Sequence, residues 1–241
     1  MLRVLEGEMM DGADVSRESM EQALAFIRGV NRSLGGASAL IRHLDAWSKS
    51  WPKGRPITLL DLGTGSADIP LAVRRWGEAH GHDIRITATD VHPLTLELAR
   101  EHVAGAAGVE ITRLDALAMR ESLAARSFDY VHAGMFLHHL SEIQVLTVLA
   151  GMDRVAARGI VWNDLVRSRL NLAFITLATT GQSEMIKHDA RASVRAGFTR
   201  AEVLDLAKRS DLGYCRYQAS LFTGRFTLAG ERPGAWPGGG A

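Results

Sequence analysis

Apolar positions in this chain follow two alternating rhythms. From Ile57 onward, short apolar runs end in an acid or a small residue. "ITLLDLG", "IRITATD", "VEITRLD", "FDYVHAGMF" and "GIVWNDL" each read as a buried strand. Between them the spacing changes to that of helices, in "ADIPLAVRRWGEAHG" closed by Gly81, "PLTLELAREHVAG" opened by Pro93, and "SEIQVLTVLAGMDRVA". Strand and helix alternating in this way predict a doubly wound, mostly parallel α/β sheet. "CRYQASLF" and "GRFTLAG" add two strands joined by a turn, which makes seven strands with an antiparallel edge.

The residues before this pattern are helical. Met20, Ala23, Leu24, Ile27 and Leu34 keep one spacing up to Gly35 and Gly36, and Leu40, Ile41, Leu44 and Trp47 keep another. Residues 1–54 are therefore expected to form a helical lid, and residues 55–230 the main domain. A long segment at about 166–198 interrupts the domain, and its apolar part around Leu170, Leu172, Phe174, Ile175 and Leu177 suits a pocket roof, a core helix or a dimer contact. Residues 231–241, rich in Pro and Gly, are expected to be a flexible tail.

Composition narrows the partners. A net charge of +1 over 241 residues gives no reason to expect nucleic acid. The longest apolar stretch, from Leu170, falls short of the ~20 residues needed for stable membrane insertion. Cys215 is the only cysteine, so no intramolecular disulfide forms, and a reducing, cytoplasmic setting is expected. The acidic start "MLRVLEGEMMDGAD" lacks the basic opening of a signal peptide. No cluster has metal-ligand spacing along the chain, so no metal is assigned and activity is expected to survive EDTA.

The turn "LDLGTGSADIP" carries the chemistry. A P-loop would need Gly-Lys-Ser/Thr, and a dinucleotide fingerprint a third Gly where Asp68 stands. A cradle for S-adenosylmethionine fits better. Asp61 can reach the cofactor ammonium, Gly63 and Gly65 admit close backbone approach, and the next helix offers its N-terminus to the carboxylate. Asp90 ends the second strand, where a carboxylate can accept bonds from both ribose hydroxyls. Val91 can cover adenine, and Asp115 with the Ala116 backbone can receive the adenine amino group. Singly, each acid also reads as a strand end or helix cap.

Residues 57–164 resemble class I S-adenosylmethionine-dependent methyltransferases through "LDLGTGSADIP", "TATD", "RLDAL" and "FDYVHAGMFLHHL". The resemblance implies a Rossmann-like methyltransferase fold, S-adenosylmethionine as cofactor, and Thr64, Ala133 and Gly134 as further cofactor contacts. Ala67 meets only loosely the family's small residue after the second glycine. "EMMDGAD…NRSLGG" and "NDLVRSRL…KHDARASVRAGFT" are similar to bacterial small-molecule methyltransferases associated with type III polyketide pathways. The turn "GMFLHHL" lacks the Pro-Pro motif of DNA amino-methyltransferases and the glutamate pair of protein arginine methyltransferases.

A small hydrophobic or phenolic acceptor, methylated at oxygen, is the resulting expectation. A phenol with a pKa near ~10 would gain from a base. His139 and Asp164 are the expected acid–base or orienting pair, with His138 next; a helix cap is the competing role for either histidine. His188 is a weaker pocket candidate. A nicotinamide-dependent oxidoreductase and a non-catalytic S-adenosylmethionine-binding protein are the alternatives, and a homodimer stays open.

Overall fold

The computed structural model describes residues 1–12 and 14–236. Two helices lead: α1 (Arg17–Ser33), capped by the Ser16 hydroxyl, and α2 (Gly36–Ser48). The alternating core follows as β1 (Ile57–Leu62), α3 (Asp68–Ala79), β2 (Ile84–Asp90), α4 (Pro93–His102), β3 (Val109–Arg113), a short α5 (Met119–Ser122), β4 (Phe128–Gly134), α6 (Glu142–Val155) and β5 (Ala156–Leu165). Then come α7 (Arg169–Ala178), α8 (Glu184–Ala196), α9 (Arg200–Arg209), β6 (Arg216–Ser220) and β7 (Arg225–Glu231).

The strand order is β3-β2-β1-β4-β5-β7-β6, with β7 antiparallel to both neighbours and the rest parallel. The expected seven-stranded sheet with an antiparallel edge is thus the observed one. Side chains alternate across it as a pleated strand requires. Leu60, Leu62, Val131, Ala133, Ile160 and Trp162 face the layer holding α6 and α9, whereas Ile57, Leu59, Tyr130 and Val161 face α2 and α3. Chain order reverses between β1 and β4, and ligands of such sheets bind at the carboxyl ends of the strands beside that reversal.

The N-terminal segment divides. Leu40 and Leu44 of α2 are fully buried against the strands, so α2 is core rather than lid. Of the described residues before β1, Glu8, Met10, Leu34 and residues of α1 line the cavity described below. Residue 236, expected to belong to a loose tail, is packed: Trp236 is 8% exposed, stacks under Arg158 and Arg55, and donates its indole N–H to Tyr130 Oη. Residues 237–241 lie outside the described residues. Among the described residues, no helix is long and apolar enough to cross a membrane.

Candidate active site

The turn after β1 holds three residues in left-handed backbone, Gly63 at φ 62°, Gly65 at φ 55° and Ala67 at φ 57°. The two glycines serve different ends. A Cβ on Gly63 would come within 2.7 Å of the Phe136 ring, so the missing side chain there admits Phe136. At Gly65 the space is open apart from Leu24 at 3.7 Å, and the positive φ is the requirement. Thr64 donates its backbone N–H to Thr89 O, while its buried hydroxyl has no protein partner. That orphaned hydroxyl, between two residues without side chains, suits a bound polar ligand.

Asp61 does not stand free. His132, its register partner on β4, places Nδ1 at 2.5 Å from Asp61 Oδ1, and both groups are buried. One carboxylate oxygen is thereby committed to the protein. Gly134 makes room for this pair, since a Cβ there would meet His132 Cε1 at 2.6 Å. Ala133, fully buried between β1 and β5, turns its methyl into the core.

Asp90 closes β2. Its carboxylate accepts backbone N–H groups of Gly65 at 3.2 Å, Val91 at 2.8 Å and His92 at 3.1 Å. These bonds fix the carboxylate at the mouth of the Gly63–Gly65 turn, and burial raises its pKa despite them. Val91 is 47% exposed and so offers an apolar surface beside it. Asp115 caps a short 3-10 turn by accepting the Leu117 N–H at 2.9 Å, which is the helix-cap role, and it remains exposed next to buried Ala116.

The histidine pair is rearranged relative to expectation. Asp164 pairs with His138, not His139: His138 Nδ1 lies 2.7 Å from Asp164 Oδ1. The adjacent histidines occupy a 3-10 turn at Leu137–His139, which turns their rings to different partners. His139 Nδ1 reaches Asp11 at 3.0 Å instead. Asp164 is wholly buried and also accepts from the His138 and Leu165 backbone and the Trp162 indole. It therefore acts only through His138. Burial alone would lower the His138 pKa, but the charges of Asp164 and Glu8 outweigh it and raise it to about 10. An imidazolium held so firmly is a poor base at neutral pH.

Glu8 is the residue that sequence reasoning missed. Residues 1–11 cross the ends of β4 and β5 as a strap. Arg3 donates to Ala196 O at 2.7 Å and Leu140 O at 2.9 Å, and Asp189 accepts the Met9 and Met10 N–H groups. The strap delivers the Glu8 carboxylate beside His138 and His139, with the Ser193 hydroxyl bonded to it. Burial works to raise the Glu8 pKa, yet the nearby imidazoles hold it below the usual range. No spacing in the chain signals a contact between residues so far apart.

Beyond this edge lies a cavity of about 360 Å³, walled by α1 through Phe26, Ile27 and Val30, by α7 through Phe174, and by Met135 and Arg225. Its lining is largely apolar. Arg225 is 3% exposed and donates one N–H to Asn31 Oδ1 at 2.9 Å, while Nε and Nη1 have no protein partner. Burial lowers its pKa to about 10, so it stays charged at neutral pH. Asn31 in turn donates to Asp68, which also accepts the Ser66 hydroxyl, so cavity wall and glycine turn form one network. Met135, at φ 55°, follows directly on Gly134 and lines the cavity. His188 lies outside the lining, half exposed on α8 against Asp189.

Comparison with known proteins agrees with this arrangement. Residues 59–159 match the family described as methyltransferase domain. Ribosomal protein L11 methyltransferase of Chelativorans sp. (strain BNC1) is 37% identical over 84 residues, 35% of this chain and 25% of that protein. The chain thus spans about a quarter of the length of that curated relative. A SAM-dependent methyltransferase from Aquifex aeolicus is similar in structure, with TM-score 0.52 and 19% identity over 73% of this chain and 81% of the other. PigF with SAH gives TM-score 0.60 and 15% identity over 90% and 60% of the two chains. Magnesium protoporphyrin IX methyltransferase from Synechocystis PCC 6803 with bound SAH gives TM-score 0.55 and 11% identity over 83% of each. Residues 59–159 thus match the methyltransferase-domain family, and the fold is similar to that of solved S-adenosylmethionine-dependent methyltransferases.

Proposed function

We propose that this protein transfers a methyl group from S-adenosylmethionine to a small hydrophobic acceptor, at a phenolic oxygen. The observation that carries the proposal is the apolar cavity lined by Met135, Asn31 and Arg225, which the Asn31–Asp68–Ser66 hydrogen bonds join to the glycine turn. Gly63, Thr64, Gly65, Asp90, Val91, Asp115 and Ala116 would hold the cofactor, with Asp61, Ala133 and Gly134 beneath. When bound, the cofactor supplies a methyl group already activated by its sulfonium. The protein's work is then chiefly to orient the acceptor and exclude water, which can supply much of the rate.

Arg225 supports oxygen as the acceptor atom. A buried cation with unpartnered N–H groups in an apolar wall favours an anionic oxygen over the neutral hydroxyl and lowers the acceptor's pKa, so the acceptor binds as the phenolate after giving its proton to solvent water. His138 and Asp164 serve as positioning residues for the floor of the pocket in this reading. A polyketide-derived phenol agrees with the cavity's shape and chemistry, and a cytoplasmic, nucleic-acid-free setting belongs to the same proposal.

The experiment is calorimetric titration with S-adenosylhomocysteine and, separately, NAD, followed by turnover on a panel of phenols. S-adenosylhomocysteine should bind and NAD should not. Asp90→Ala should weaken binding by about 1.5–3 kcal/mol, the range for hydrogen bonds to a charged group. Unchanged affinity in a folded variant would place the cofactor elsewhere, and binding without turnover would leave a non-catalytic binding protein.

A further inference from the structure

Glu8, His138 and His139 present three potential metal-ligand atoms, all within 4.8 Å of one another. His138 Nε2 lies 3.5 Å from Glu8 Oε1, and His139 Nε2 lies 3.8 Å from the same oxygen. Both other ring nitrogens are occupied by carboxylates, His138 Nδ1 by Asp164 and His139 Nδ1 by Asp11. A histidine whose Nδ1–H donates to a carboxylate presents Nε2 outward, where a metal ion binds by displacing the Nε2 proton. This is the arrangement that supports histidine ligands in metal sites. The His138 Nε2 atom is buried and has no hydrogen-bond partner, although it points at Glu8.

We propose that Glu8, His138 and His139 form a binding site for a divalent transition-metal ion, Zn²⁺ or an ion of similar softness. Two imidazoles and one carboxylate suit such ions and leave coordination positions open. Donors bound at about 2.0–2.2 Å around a tetrahedral ion lie roughly 3.3 Å apart. The Glu8–imidazole separations of 3.5 and 3.8 Å need only a small contraction to reach that distance, and the half-buried His139 ring can turn to close the third side. Asp164 and Asp11 then orient the ligands rather than bind. Glu8 also lines the cavity, so the cluster borders it. The site stands on its own geometry and does not depend on methyl transfer. It also replaces the expectation, drawn from chain spacing, that no metal binds: the cluster exists only once the strap has folded back.

The test uses the full chain without an affinity tag, stripped with chelator and titrated with Co²⁺ and Zn²⁺. Co²⁺ should bind at one equivalent with a visible ligand-field spectrum that Zn²⁺ abolishes, and Zn²⁺ should raise the Tm. Glu8→Gln and His139→Ala should each weaken uptake at least tenfold. His139 is the more exposed of the two histidines, which keeps His139→Ala informative if Glu8→Gln folds poorly. Absence of saturable Co²⁺ or Zn²⁺ uptake would overturn the proposal, leaving the cluster as one more contact that holds the strap. Uptake unchanged in both variants would overturn it equally, by moving the metal to another place.

Discussion

His132 and Asp61 meet as register partners on adjacent strands, Nδ1 to Oδ1 at 2.5 Å, beneath the Gly63–Gly65 turn. The pair fixes the end of β1 from below, because Asp61 cannot turn without leaving a buried polar atom unmatched. His132→Ala should therefore cost about 1–3 kcal/mol of stability, which at this chain length is a Tm drop of roughly 2–4 °C per kcal/mol. S-adenosylhomocysteine affinity should fall with it. A variant that melts like the wild type and binds equally well would show that the contact holds nothing in place.

Arg225 is expected to set acceptor affinity without touching the cofactor. Arg225→Gln keeps a polar group near Asn31 but removes the charge. The acceptor KM should rise about 10-fold to 100-fold, the equivalent of losing a charged hydrogen bond, while S-adenosylhomocysteine affinity stays within about twofold. Arg225→Lys should recover part of the loss. Steady-state kinetics across phenols of graded pKa give the check: equal losses for acidic and weakly acidic phenols would argue against an electrostatic role.

Phe174 is 53% exposed on α7 and lines the cavity. Phe174→Ala should weaken acceptor binding by up to ~1.5–3 kcal/mol, the value of burying such a side chain, with little change in Tm or cofactor affinity. A drop in Tm with intact acceptor affinity would instead make α7 a core helix. A shift of sedimentation towards monomer would make it a dimer contact.

His43 makes stability pH-dependent. Burial, with the charges of Arg42 and His132 adding to it, lowers its pKa from 6.5 to about 4, and its Nε2 sits 3.2 Å from Thr227 Oγ1. The unfolded chain binds this proton more readily than the native one, so His43's contribution is intact above about pH 6.5. It should be lost progressively as the pH falls towards 4. Tm measured across that window should fall less steeply in His43→Gln than in the wild type. Parallel curves would remove His43 as a cause.

The sequence disclosed the sheet and the glycine turn for a physical reason. Asp61 to Ala116 lie on consecutive strand–turn–helix units, so the proposed cofactor residues are encoded within a few residues of their motifs. The cavity is assembled by segments distant in the chain. Glu8 reaches His138, and Asn31 reaches Arg225, across stretches that leave no periodic trace. The choice between His138 and His139 as Asp164's partner depends on the torsions of a single 3-10 turn, which composition does not report. The helical period of α2 was legible, but periodicity names a buried face and not the surface that buries it. The methyltransferase domain match stops at residue 159, before most of the cavity wall begins.

Among the described residues, α7 is the one α-helix that buries no side chain of its own. It is held by the Ser168 cap and by the Asn171 amide, which donates to Val166 O and Gly224 O. A helix whose side chains are at most half-buried opens at a smaller fraction of the global unfolding cost than the core elements. An acceptor seated in the cavity would supply the core that this helix lacks. Acceptor affinity then already includes the entropy of ordering α7, and two acceptors of equal contact area will differ in strength according to how completely each one quiets that helix.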